Sequence, residues 1–266
     1  MQKEIVIILV FNKAYLSKAK FTINQIRNIG KYSGDIVCLI STDLLNDINI
    51  VENLSNNIIV KYFPEIDRNE IIEKLKQKPI GDGREISKTV QWNKLFLFKN
   101  YFKFWKHCFY IDAGMHIFKP MDKILNLDCK NKLLAHSDAY PTYQWVLDCQ
   151  FNHNQFPEIY YNLILNYDLS IDYFQSGIML YDTNIIEDNT FNDLVELSKK
   201  YFISRTNEQG ILNLYFNSDK KIWKQIEIKD NETYYYDYWN RNNLKAEDYI
   251  MLKYPKDEYG NKMLIQ

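Results

Sequence analysis

The stretch from Trp92 to Pro120, WNKLFLFKNYFKFWKHCFYIDAGMHIFKP, constrains the fold more than any other part of the chain. Its two halves have different hydrophobic periods. Trp92, Leu95, Phe96, Phe98, Tyr101 and Phe102 recur at helical spacing and predict a helix with an apolar face. Cys108, Phe109, Tyr110 and Ile111 then run without a polar break, as in a strand buried on both faces. The run stops at Asp112, followed by Ala113 and Gly114, and a short apolar pattern resumes at Ile117 and Phe118 before Lys119 and Pro120. A carboxylate at the carboxyl end of a buried strand, beside small residues, stands where open α/β sheets bind ligands. The competing reading is a strand-end Asp that caps the following turn.

The same alternation continues on both sides. Strands are predicted at 5–11 and 35–41, both buried, and at 58–63, 133–137 and 174–181. Helices are predicted at 15–29, ending at Gly30, at 70–78, stopped by Pro79, at 191–202, and from 207 to 216. This order predicts an α/β fold, a mixed and mostly parallel central sheet flanked by helices. The 266 residues, 46% of them hydrophobic, suffice for one large core, and no linker or repeat marks a boundary, so one domain over 1–266 is expected.

Composition narrows the function classes. Lys+Arg 33 against Asp+Glu 34 gives a net charge of −1, which argues against nucleic acid as a partner. The four cysteines, Cys38, Cys108, Cys129 and Cys149, lie in or beside apolar segments without CxxC spacing, and are expected to be reduced in a cytoplasmic protein. The apolar run Ile5–Phe11 reads as a first strand rather than a leader peptide, and no run is long enough to predict a membrane span. There is no GxGxxG, no Walker loop and no GxSxG elbow. His107, His116, His136 and His153 lack zinc spacing. An oxygen-ligated Mg²⁺ or Mn²⁺ stays open around Asp112.

Polar clusters follow or break the buried strands at Asn12–Tyr15, Asp112–His116 and Asp172–Ser176, and Glu208–Gln209 opens a helix. Strand ends on one edge of a sheet converge, so these clusters are expected to line a single cleft.

Five segments in register resemble the glycogenin-like, family 8-like glycosyltransferases of GT-A fold: FNKAY (11–15), NKLFLF (93–98), FYIDAGMHIFKPMDKI (109–124), FQSGIMLYD (174–182) and NEQGILN (207–213). The resemblance implies a nucleotide-binding half at 1–125 and an acceptor-side half at 126–266. It implies transfer of a hexose from a UDP-sugar to a hydroxyl of a glycan, protein or small molecule, with retention; an inverting path would use Asp138 or Glu208 as general base, and the sequence does not choose. Donor contacts carry over to Asn12, Tyr15, Lys94, Asp112, Ala113, Gly114, Gln175 and Lys253. Asp138, Glu208 and Gln209 are placed around the transferred sugar.

Four positions depart from the family pattern. Gly114 replaces the second Asp of the DxD metal motif, Gln175 replaces an Asn, Glu208 replaces the Asp before Gln209, and YIMLKYPK (249–256) puts Lys253 or Tyr254 where the family has a metal-binding His. Two readings follow. Either Mn²⁺ or Mg²⁺ is held through Asp112, diphosphate and water, with His116 as a helper. Or Lys253 takes over the metal's charge and action is metal-independent. The same erosion supports an alternative, a catalytically inactive nucleotide-sugar-binding or scaffold protein. Trp145 and Tyr234–Trp239 are candidate acceptor walls, and the aromatic C-terminal part offers a homodimer interface. A cytoplasmic location is expected, or the host cytoplasm or virion for a viral source.

Overall fold

The computed structural model describes residues 2–140, 142–226 and 249–253. Its strands are β1 (Lys3–Phe11), β2 (Ile36–Ile40), β3 (Ile58–Tyr62), β4 (Trp105–Ile111), β5 (Met115–Ile117), β6 (Leu133–Ala135), β7 (Ile178–Asp182), β8 (Trp223–Gln225) and β9 (Met251–Lys253). Seven of them form one sheet in the order β3-β2-β1-β4-β7-β6-β8, and β5 pairs with β9 in a separate ribbon. β7 runs against both β4 and β6, while the other pairings in the large sheet are parallel. The mostly parallel α/β architecture expected from the sequence is therefore present.

Strand periodicity explains the two layers. Val6, Ile8 and Val10 of β1 enter one hydrophobic core, and Ile7, Leu9 and Phe11 enter the other. A sheet buried on both faces has no room for alternating polar residues, hence the continuous apolar runs. The helix Leu16–Asn28 covers one face with Ala19, Ile23 and Ile26. The helices Thr190–Lys200 and Glu208–Asn213 cover the other, through Leu194, Ile211 and Leu212. Phe98 is fully buried there between the rings of Tyr181 and Phe216, at 5.1 and 4.4 Å. Burying such a ring contributes about 2–3 kcal/mol.

The segment around Trp92 departs from expectation. In place of one α-helix over 92–102 there are two 3-10 runs, Thr89–Phe98 and Asn100–Phe104, separated by Lys99 in extended conformation. All seven residues from Trp92 to Phe98 are buried. With no solvent-facing side, nothing in the packing favours a 3.6-residue period over a tighter three-residue turn. β8 and β9 were also not legible in the sequence. Both are three-residue strands.

The reversed direction of β7 matters for function. It brings the residues before β7 to the carboxyl end of β4: Ile111 faces Ile178, and the Asp112 N–H donates to the Gly177 carbonyl at 2.9 Å. The ends of β1 and β4, the start of β7 and the end of β6 thus share one rim. Among the described residues no helix is long and apolar enough to cross a membrane. All four cysteines are free.

Candidate active site

A cavity of about 340 Å³ opens at that rim, beside Asn12, Tyr15, Gln91, Lys94, Tyr110, Asp112, Ala113 and Lys253. A second cavity of about 580 Å³ shares Asn12 and Val90 with it and extends along Ser41, Asp43, Asp67 and Arg68 at the ends of β2 and β3. Each is within the size range of small-ligand sites.

Asp112 is the electrostatic centre. Its Oδ1 lies 3.0 Å from Lys94 Nζ and accepts a hydrogen bond from the Tyr110 hydroxyl, and its Oδ2 is paired with Lys253 Nζ. Lys94 Nζ also lies 2.8 Å from Glu208 Oε1. Burial by itself raises the Asp112 pKa, but the ammonium groups of Lys253 and Lys94 outweigh it and hold the carboxyl well below its ordinary range. Burial likewise opposes charge on Lys94, and Asp112 together with Glu208 reverses that, holding its pKa above the ordinary lysine value. Both groups are charged at neutral pH. Lys94 is the one cation inside the apolar run TVQWNKLFLF, and its side chain is only 7% exposed. It is buried because two carboxylates meet it there.

Behind Lys94 lies a hydrogen-bonded network. The Ser176 hydroxyl donates to Glu208 Oε1 at 2.8 Å, and the Ser176 N–H donates to Gln209 Oε1 at 3.0 Å. With its oxygen held there, the Gln209 amide directs Nε2 toward Gln150 Oε1 at 3.0 Å and Asp138 Oδ2 at 3.4 Å. Gln175 Nε2 donates to Asp138 Oδ1 at 2.7 Å. Gln209 and Asp138 do not line the cavity at Asp112; they join it through Ser176 and Glu208. Three buried oxygens in this region have no hydrogen-bond partner among the described residues: Asn12 Oδ1, Gln175 Oε1 and Glu208 Oε2. Buried acceptors left unmatched are costly.

One expectation is corrected here. His116 does not join the cluster. Met115 is paired with Lys253 across the β5–β9 ribbon, so Lys253 and Met115 face one side and His116 the other. The ring of His116 packs against Phe21 and Phe118, and burial lowers its pKa. Asn207 does not cap the helix Glu208–Asn213 with its side chain. Its Nδ2 instead donates to the Arg84 and Lys88 carbonyls and to Gln91 Oε1. Trp145 is 45% exposed, and Tyr234–Trp239 and Tyr254 lie outside the described residues.

The donor set fits a divalent cation poorly. Among the described residues no three His, Cys, Asp or Glu groups converge to hold one. Asp112, the single carboxylate of the motif, is committed to two ammonium groups and a phenol. Gly114 has φ +96°, where an Asp would be strained, and its N–H donates to Thr22 Oγ1 at 2.9 Å. The turn is built for glycine rather than for a second carboxylate.

The sequence singled out neither Tyr110 nor Gln150, and gave Ser176 only as the end of the polar cluster Asp172–Ser176. Tyr110 carried a usable signal: two residues before Asp112 along an extended chain, it faces the same side. Ser176 adjoins Gln175 in FQSGIMLY. Gln150 sits in the irregular segment after Ala139 and carried none.

The fold is that of the GT-A type glycosyltransferases. The galactosyltransferase LgtC, crystallised with donor and acceptor sugar analogues, superposes with a TM-score of 0.58 at 14% identity, over 86% of this chain and 75% of LgtC. The bifunctional glycosyltransferase WbbM gives 0.56 at 18% identity, over 98% of this chain and 46% of WbbM. GlyE of Streptococcus pneumoniae TIGR4 gives 0.57 at 12% identity, over 100% of this chain and 59% of GlyE. No family model and no curated protein matches the sequence.

Proposed function

We propose that this chain transfers a hexose from a UDP-sugar to a hydroxyl acceptor, with retention, and that Lys253 and Lys94 supply the positive charge that a divalent cation supplies in metal-dependent sites. One observation carries the reading. Asp112 at the rim of β4 is bound by two ammonium groups beside a cavity that also holds Asn12 and Tyr15. A diphosphate leaving group entering there can take Lys253 from Asp112, leaving Asp112 paired with Lys94 and available to the ribose. Stabilising a departing diphosphate needs fixed positive charge in a site shielded from water, and lysine is well suited to phosphate. The unmatched acceptor oxygens of Gln175 and Glu208 suit sugar hydroxyls, and the Gln209 amide donates toward Asp138, where the acceptor side begins.

The test is UDP release from a panel of UDP-sugars, with and without EDTA. Turnover that persists in EDTA and is lost in Lys253→Met supports the reading. Complete loss in EDTA, restored by Mn²⁺, refutes metal independence. A second reading, binding without catalysis, is favoured by the mutual pairing of Lys94, Lys253, Asp112 and Glu208, which leaves the site self-neutralised. Stabilisation by UDP-sugars with no turnover under any condition would select it.

A further inference from the structure

A third cavity, of about 280 Å³, is lined by Gly81, Asp82, Arg84, Cys149, Arg205 and Thr206. Two features link it to the proposed transfer site. The helix Arg84–Ser87 gives Arg84 to this cavity and Ser87 to the donor cavity. The Arg205 N–H donates to the Gln150 carbonyl at 2.8 Å, and Thr206 Oγ1 donates to Gln150 Oε1, the oxygen that also accepts from Gln209. One side chain, Gln150, thus separates this cavity from Gln209.

Most polar groups around the cavity are already engaged. Asp82 is spanned by Arg84, with contacts of 2.7 and 2.9 Å, and that hydrogen bonding holds its pKa at about 2, so the pair is charged and self-compensating. Cys149 meets the Tyr173 hydroxyl, and Thr206 is spent on Gln150. Arg205 is exposed and has no side-chain partner among the described residues. The capacity left over is a guanidinium, which donates and cannot accept. A neutral sugar asks for both donors and acceptors; an oxyanion asks for donors alone and matches the guanidinium fork.

We infer that the acceptor carries an oxyanion, a phosphate or a carboxylate, seated on Arg205 in this cavity while its reacting hydroxyl reaches past Gln150 toward Gln209. The inference rests on the transferase reading and names the acceptor class for it.

The experiment titrates protein saturated with UDP against matched sets of probes. Each set is a neutral hexose, its 6-phosphate and its uronate, for glucose, galactose and mannose. In at least one set the anionic member binds about 10- to 100-fold tighter than its parent, the range of a charge-assisted contact. The stronger of phosphate and uronate identifies the group. Arg205→Gln removes the preference and Arg205→Glu reverses it; because Arg205 is exposed, neither empties the core. Equal binding of neutral and anionic members, survival of the preference in Arg205→Glu, or no binding by any probe overturns the inference. Thermal shift with UDP-sugars on the same protein scores the donor side separately. Stabilisation there without an anion preference sinks the acceptor class alone. No stabilisation there counts against the transferase reading, whatever the titration shows.

Discussion

Replacing Lys94 by Met is the sharpest test of the site's electrostatics, because the side chain is buried against two carboxylates at once. Asp112 Oδ1 and Glu208 Oε1 both lie within 3.0 Å of Lys94 Nζ, so the two oxygens are within about 6 Å of each other. Without the ammonium, like charges at that distance repel by about 3 kcal/mol at an effective dielectric near 20. Breaking a buried pair from one side costs about 3–5 kcal/mol, because an uncompensated charge stays behind. Asp112 keeps Lys253, whereas Glu208, with a side chain 1% exposed, keeps only the Ser176 hydroxyl among the described residues, so most of the loss falls on Glu208. The expected drop in unfolding midpoint is about 10 °C at pH 7.5. The sign with pH is also set. Stranded carboxylates have raised pKa values, so the folded mutant takes up protons more readily than its unfolded chain. The gap to wild type should therefore narrow as pH falls toward 5. Glu208→Gln on the mutant background should restore roughly half the loss. Thermal melts of the three proteins at pH 5.0 and 7.5 decide it. A Lys94→Met midpoint within about 2 °C of wild type, or a gap that widens at pH 5, would refute this account of why a lysine is buried here.

Gly114→Asp should not create a metal site. The +96° φ opposes any L side chain, and the expected result is a loss of about 1–3 kcal/mol with no Mn²⁺-dependent rise in melting temperature. Asp112→Asn should be less stable than wild type by a constant amount between pH 5 and 8, measured by urea unfolding. The folded-state pKa of Asp112 is depressed, so its contribution is fully present above the unfolded value and fades only as pH falls below about 4. Gln150→Leu removes the acceptor that orients the Gln209 amide; kcat should fall about 10-fold, the cost of one misdirected hydrogen bond from Gln209 to the reacting sugar, with the donor KM unchanged. Gln150→Glu keeps that oxygen and should recover most of it.

The sheet was readable from the chain because burial on both faces leaves a mark at every residue of a strand. Ile5–Phe11, Ile36–Ile40 and Cys108–Ile111 have no polar break, and this requires covered strands in a layered fold. Asp112 and Asn12 were readable as rim residues for the same reason, since each ends such a run. What the chain could not show is any property that depends on two distant segments meeting. Lys253 reaches Asp112 only because β9 pairs with β5. His116, the helper in the metal reading, and Lys253, the substitute for the metal's charge in the other, could not be placed from the chain; the ribbon's register put them on opposite sides. Gln150 and Arg205, in irregular segments, acquire meaning only through backbone contacts that bring residues 149–152 against 203–206. Local sequence records how deeply a residue is buried, because burial acts on each side chain separately. Which charges end up facing one another is settled by strand order, direction and register, and these belong to the folded chain as a whole.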